Sequence, residues 1–503
     1  MEDLINQLNA ILWSKALIAL CLGAGLYFSI RTRFMQVRGV PEMIRLMLNN
    51  KSSDAGVSSF QALAMSLSGR VGIGNIAGVA TAIAFGGPGA VFWMWVMAFL
   101  GASTAYVEST LAQVYKEKDP NGKYRGGPAY YIEKGTGQKW YGWLFAIVTI
   151  VAAGFLLPGV QANGIAASMT TAWGVQPEVT AAFIVVALGF IIFGGVKRIA
   201  RFAEIVVPFM ALAYMLVALV IMLLNVEQVA PMFTLIIKSA FGMEAGFGAM
   251  LGLAIEWGVK RGIYSNEAGQ GTSPHAAAAA EVEHPAQQGY VQAFSVYVDT
   301  LLVCSATAFM ILSTGMYNVV GKSGAMLKEA LPGIEPGPAF AQSAVESILP
   351  GYGAGFVALA LLFFAFTTIV AYYYMAETNI AYINRKIHRP WLIFALRLVL
   401  LVAVTFGCVR TAGMSWTLGD IGVGLMAWLN ILAILYLQKP ALACLRDYEA
   451  QRKAGVSEYR FDPVALGIPH AEFWERRANG MEDIQAEAPQ RSINTIDRKH
   501  HEH

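Results

Sequence analysis

The sequence predicts an all-α polytopic membrane protein with 11 transmembrane helices. Three observations carry that reading. Of 503 residues, 56% are hydrophobic and only 14% are charged, against about 25% charged in a soluble domain. Apolar runs of ~20 residues, long enough to cross a ~30 Å hydrocarbon core as helix, recur along the chain. Lysine and arginine crowd into alternate connections, as the positive-inside rule requires. The net charge of +3 is small and points to no nucleic-acid partner.

The spans cover roughly residues 10–30, 59–84, 87–115, 141–170, 178–195, 202–225, 246–283, 288–312, 340–376, 391–408 and 414–437. As one straight helix the seventh would run about 57 Å, so it must be broken, tilted or partly outside the membrane. The connections 31–58, 116–140, 196–201 and 377–390 hold 17 bases, and the alternate ones hold only Lys15, Lys238, Lys322, Lys328 and Arg410. This asymmetry places the N-terminus outside and the C-terminus in the cytoplasm. The opening MEDLINQLNA carries two acids and no base, unlike the basic start of a signal peptide. RGVPEMIRLMLNN (38–50) reads as an amphipathic helix on the membrane surface. GGPAYYIEKG (126–135) reads as a Gly-Pro turn entering a helix, either a connector or part of an inner gate. The aromatics FWMW (92–95) read as an interfacial belt. The closing QRSINTIDRKHHEH is polar and expected to be disordered. Four cysteines without CxxC spacing give neither a metal site nor a disulfide framework.

RVGIGNIAG (70–78) puts an arginine, three glycines and an asparagine inside an apolar span. Glycine costs about 1 kcal/mol against alanine in a helix interior, and a charge at the bilayer centre at least ~2.5 kcal/mol. A nucleotide-binding loop is excluded because no strand precedes it and no βαβ unit surrounds it. Tight helix packing through small residues explains the glycines but neither Arg70 nor Asn75. RGIYSNEAG (261–269) shares the pattern R-x-x-x-x-N-x-A-G, matching Arg70, Asn75, Ala77 and Gly78 to Arg261, Asn266, Ala268 and Gly269. The two motifs lie five spans apart, so their helices run in opposite directions. Residues 59–225 and 226–437 are therefore predicted to be inverted five-helix repeats. An extra helix and the amphipathic segment (1–58) precede them, and a cytoplasmic tail (438–503) follows. Interrupted helices at matching places in inverted halves mark a transporter's binding site. A break frees N–H groups at one helix end, which favour an anion, and C=O groups at the other, which favour a cation. A zwitterion with Na⁺ would satisfy both.

Other polar groups within spans need a reason. Asp299 reads as an ion- or substrate-coupling acid, against pairing with Arg70 or Arg261. Glu267 reads as a cap of the second break, against pairing with a cation, and Glu108 as a helix-pairing group. Arg70 has three readings: a substrate carboxylate partner, a gate pair, or a side chain in a water-filled vestibule. The gate pair is favoured. HExxH, GxSxG and Cys/His clusters are missing from the sequence, which argues against an enzyme. A channel would show oligomeric filter symmetry rather than inverted breaks.

VGIGNIAGVATAIAFGGPGAVFWMW (71–95), GGPAYYIEKG, VQAN (160–163), RGIYSNEAGQGTSPHAAAAA (261–280) and VDTLLVCSATA (298–308) together resemble the alanine or glycine:cation symporter family, from the first span to the last. The resemblance implies the leucine-transporter fold and a multi-pass plasma-membrane protein importing a small neutral amino acid with Na⁺. Alanine is the expected substrate, then glycine, then D-alanine or serine. No cofactor is implied, Na⁺ is the co-transported ion, and a monomer is expected. A proton-coupled or exchanger-type transporter of the same fold is the alternative. Carried over by motif, the substrate residues are Gly72, Gly74, Asn75, Gln161, Asn163, Tyr264, Ser265 and Asn266. The carbonyls of Ser68 and Val71 and the hydroxyls of Thr367 and Thr368 correspond to a sodium site, although threonines in a helix also bond their own carbonyls. Arg70 departs from the small or hydroxyl residue expected there. With Asp299 and Glu267 it is assigned to coupling or gating.

Overall fold

The fold, a computed structural model describing residues 2–48, 52–193, 195–244, 247 and 250–480, is built almost wholly of helix. The histidine-rich closing stretch lies outside the described residues. The helices are α1 (Glu2–Leu12), α2 (Lys15–Arg31), α3 (Val40–Met47), α4 (Ser59–Arg70), α5 (Val79–Gly86), α6 (Ala90–Val114) and α7 (Pro128–Thr136). Next come α8 (Lys139–Trp173), α9 (Pro177–Ile192), α10 (Gly195–Leu224), α11 (Val226–Ala240), α12 (Leu251–Asn266), α13 (Ser273–Ala279) and α14 (Pro285–Thr314). The chain closes with α15 (Pro338–Ile348), α16 (Gly353–Ile387), α17 (Trp391–Val409), α18 (Ala412–Tyr436), α19 (Gln438–Lys453) and α20 (Glu472–Ala478). Two short antiparallel hairpins, Glu117–Lys118 with Tyr124–Arg125 and Asn318–Val320 with Met326–Glu329, decorate the connections.

Among the described residues, eight helical segments are long and apolar enough to cross a membrane, and the bent pair α4–α5 makes a ninth. These features make the chain a multi-pass membrane protein. Large apolar side chains on α9 and α10, such as Phe190, Phe209 and Leu212, stay exposed, as lipid-facing positions must. The core lies around α6, which packs against α12, α13 and α14.

Both interruptions anticipated from the sequence are present. Helix α4 starts on a capping box, in which the Ser58 hydroxyl accepts from the Gln61 N–H and the Gln61 side chain accepts from the Ser58 N–H. It stops at Arg70. The chain resumes as a wider π-type turn, Gly74–Gly78, and the axis bends by 54° across the break. The over-long seventh span is broken in the same manner. Helix α12 ends at Asn266, Glu267 turns left-handed at φ 55°, and Gly269 and Gly271 follow at φ 84° and 83°. Gly269 and Gly271 adopt these values without the strain a side chain would bring.

The two motifs share letters but not register. The first break falls between Arg70 and Gly74, ahead of Asn75, whereas the second falls behind Asn266. Asn75 therefore opens the second half of its helix, and Asn266 closes the first half of its own.

Residues 438–480 form an ordered cap. Tyr448, Phe461 and Trp474 are buried, and the Trp474 indole donates to the Gln113 carbonyl at the end of α6 (2.7 Å). The 126–135 segment starts helix α7 with Pro128 at its first position, where a missing N–H costs nothing.

Candidate functional site

The two breaks meet at one buried polar cluster. Asn75 Nδ2 donates to the Asp299 carboxylate (2.7 Å) and reaches the Asp299 carbonyl and the Cys304 sulfur (both 3.3 Å). Its Oδ1 accepts from the Gly72 N–H (2.8 Å), so one side chain ties the unwound backbone to α14. From the second break, the Ser265 hydroxyl donates to the same carboxylate (3.0 Å). The Thr300 hydroxyl completes its donors (2.7 Å). Asn75, Ser265 and Asp299 are all fully buried. Asp299 pairs with neither Arg70 nor Arg261; neutral donors hold it. Around it, α14 itself loosens into a π-type stretch, Tyr297–Cys304.

A second set of contacts faces the first break from α8 and α16. Gln161 Oε1 accepts from the freed Ile73 N–H (2.9 Å). The Thr368 hydroxyl lies 3.3 Å from the Val71 carbonyl and donates to Phe364 O within its own helix (2.9 Å). Gly72 makes this closeness possible, since a Cβ there would come within 2.5 Å of Thr368 Oγ1 and 2.8 Å of Gln161 Oε1. Gly74 sits close against Ser265, whose Cα a Cβ would meet at 3.2 Å.

The remaining sequence-predicted residues are placed as follows. Among the described residues the Thr367 hydroxyl bonds Phe364 O alone, and the Ser68 hydroxyl Met65 O alone. Tyr264 packs on Trp416, with ring centroids 5.0 Å apart. Asn266 turns inward to accept from the Ala268 N–H (3.0 Å). Asn163 points away from the cluster and donates to the carbonyls of Gly407 and Arg410 (3.0 and 2.7 Å), tying α8 to the end of α17. Glu267 accepts from Thr272 (2.7 Å) and Tyr372 (3.3 Å), bracing the second break across its own turn. Arg70 is buried and bonds the Gln292 carbonyl and the Ser295 hydroxyl on α14, while its Nε and second terminal nitrogen have no partner. Among the described residues no carboxylate lies within ion-pair distance of it.

Two acids carry more than the sequence reading gave them. Glu108 of α6 accepts from the N–H groups of Gly269 (3.2 Å) and Gly271 (3.1 Å), from Ser273 (3.4 Å) and from Asn430 Nδ2 (2.8 Å). The freed N–H groups of the second break thus already face an anion, supplied by the protein itself. Asp420 of α18 takes Arg261 in a two-pronged pair (3.0 and 3.1 Å) and Lys260 at 2.7 Å. The Arg261 guanidinium also lies 4.4 Å from the Trp416 ring centroid. An acid inside an apolar span was the available signal for Asp420. Glu108's role was not readable, because its partners lie more than 160 residues away.

Two interrupted helices meeting at a buried, charge-bearing cluster inside a multi-pass helical bundle define a secondary transporter. Comparison with known proteins narrows this class. Residues 1–462 match the model of the sodium:alanine symporter family, and the chain belongs to that family. It is therefore an amino-acid symporter rather than an enzyme. It is 61% identical to a putative sodium/proton-dependent alanine carrier of Bacillus subtilis, across 95% of this chain and 98% of that one. It is 53% identical to a sodium/proton-dependent alanine carrier protein of Bacillus sp. (strain PS3), across 89% and 100%. Its fold is similar to a crystallised manganese transporter of Eremococcus coleocola, with a TM-score of 0.50 at 13% identity over 86% of this chain and 97% of that one.

Proposed function

We propose that the protein imports a small neutral amino acid, alanine first, together with Na⁺, by alternating access at the junction of the two breaks. The meeting of Asn75, Ser265 and Asp299 carries this reading: one residue from each interrupted helix converges on a single buried carboxylate. An ammonium group or a cation entering here would exchange the neutral donors around Asp299 for a charge partner. The unwound backbone beside Gly72 and Gly74 presents N–H groups that a substrate carboxylate would take over from Asn75 and Gln161. The Val71 carbonyl and Thr368 hydroxyl supply oxygen ligands suited to a hard cation. The carbonyl of Ser68 and the hydroxyl of Thr367 complete the proposed sodium set, and Gln161 holds the break open from α8. Amino acid and ion each neutralise charge the other would leave unpaired, so their affinities are coupled.

In this reading Glu267 and Arg70 couple the two broken helices, and the Arg261–Asp420 pair closes the outer side. Eleven spans result when α9 and the α12–α13 pair are added to the apolar nine. They form two inverted five-helix repeats of the leucine-transporter kind, with the N-terminus outside and the C-terminal cap in the cytoplasm.

An uptake screen across small L- and D-amino acids in proteoliposomes, with Na⁺ replaced by Li⁺, H⁺ or choline, tests the proposal. Accumulation of L-alanine that needs an inward Na⁺ gradient is the expected result. Accumulation driven equally by a proton gradient alone would overturn sodium coupling, and movement of no small amino acid would overturn the site.

A further inference from the structure

A cavity lined by none of the residues of the polar cluster has its own chemistry. Arg38, Gly39, Tyr290, Glu449, Arg452 and Lys453 line a recess of about 310 Å³, within the size range of small-ligand sites. It lies where the turn after α2, the start of α14 and the end of α19 come together.

Its charge is unbalanced. Three bases face one carboxylate, and that carboxylate is already engaged: Glu449 pairs with Arg38 (2.6 Å) and accepts from the Tyr290 hydroxyl (3.0 Å). Arg452 stands 3.7 Å from Glu42, whose oxygens are taken by Arg45 (2.6 and 2.9 Å) and Tyr448 (2.5 Å). Lys453 has no ion-pair partner among the described residues.

The surroundings are apolar and open. Phe34, Val37, Ile44 and Leu48, on the segment running from α2 through α3, are exposed. Basic side chains around a recess, beside exposed apolar residues at the end of a membrane span, are the elements of a membrane-surface anion site.

We propose that this recess binds the phosphate of an anionic ligand between Arg38, Arg452 and Lys453, with Tyr290 as part of its wall. An acidic phospholipid headgroup at the membrane surface is one source of that phosphate; free phosphate or a soluble phosphate ester is the other. Tyr290 belongs to α14, the helix that also holds Arg70 through Gln292 and Ser295 and that carries Asp299. A ligand in the recess therefore contacts both the C-terminal cap and the helix at the centre of the site.

The test uses the full chain purified in detergent and measures bound lipid by native mass spectrometry. Phosphatidylglycerol is compared with phosphatidylcholine, and inorganic phosphate and glycerol 3-phosphate serve as competitors. Wild type is expected to retain phosphatidylglycerol over phosphatidylcholine. Each base removed should weaken binding about five-fold, so Lys453→Gln loses about five-fold and the double variant with Arg452→Gln on the order of 30-fold. Lys322→Gln, on a distant connection, should bind as wild type. Phosphatidylglycerol that resists both competitors assigns the site to lipid, whereas displacement by millimolar phosphate assigns it to a soluble anion. Equal retention of the two lipids with no displacement by phosphate or glycerol 3-phosphate, or unchanged binding in Lys453→Gln and in the double variant, would overturn the proposal. None of these measurements involves transport, so the outcome is independent of the transported solute.

Discussion

Replacing Glu108 by glutamine removes one acceptor oxygen from a carboxylate that accepts four hydrogen bonds. One oxygen takes Gly269 N and Ser273 Oγ, and the other takes Gly271 N and Asn430 Nδ2. Glutamine keeps one oxygen and turns an NH₂ toward the other pair of donors. Two bonds to a charged group are lost, each about 1.5–3 kcal/mol, which gives about 3–6 kcal/mol. That is a large part of the ~5–15 kcal/mol by which a typical fold is stable. The loss falls on the second break, whose backbone N–H groups lie too deep for water to replace the carboxylate. Thermal unfolding in detergent, followed by tryptophan fluorescence, should show a clearly lower midpoint for Glu108→Gln. Sodium-driven alanine uptake should fall by at least tenfold, about 1.4 kcal/mol or more. The same midpoint and the same uptake as wild type would refute the reasoning. Glutamine would then be an adequate substitute, and the anion would not be what holds the break.

Two further outcomes are expected. Thr368→Ala should raise the Na⁺ concentration for half-maximal uptake on the order of tenfold, about 1.4 kcal/mol, and Thr367→Ala should raise it less, because only Thr368 reaches Val71; a change in alanine affinity at constant sodium dependence would remove both from the ion site. Docking of the C-terminal cap should weaken as pH falls below about 6.5: burial holds the His284 imidazole below its ordinary 6.5 despite its bond to Asp447 (3.1 Å), so protonation favours release, and the same bond holds the Asp447 carboxyl below 3.8, so that its share is lost only at lower pH still. Hydrogen exchange across 438–480 at pH 7.5 and 5.5 measures this, and equal protection at both would contradict it.

Much of the design was legible because it is local. Glycines and an asparagine inside an apolar run announce a broken helix, and a 38-residue span too long for the bilayer announces the second. What the sequence left open is what meets across the chain. Asn75 and Asp299 are 224 positions apart, and no periodicity links them. The shared motif misled about register, because matching letters do not fix on which side of an asparagine the backbone unwinds. Asn163 is two residues from Gln161, about 200° round the helix, and so faces another neighbour. Residues 438–480 stood in the sequence only as the start of a tail, although Tyr448, Phe461 and Trp474 were there as anchors. Burial of those rings outweighs the surrounding charge, since a large aromatic side chain removes 150–250 Å² from water.

The central claim is that amino acid and sodium bind together where Asn75 joins the first break to Asp299. Equilibrium binding of labelled L-alanine to the purified protein, measured across Na⁺ concentration in wild type and Asn75→Ala, tests it most directly. Alanine affinity in wild type should rise with Na⁺, and Asn75→Ala should lose saturable alanine binding while keeping a cooperative unfolding transition. Alanine binding that ignores Na⁺, or that survives Asn75→Ala unchanged, would contradict the account.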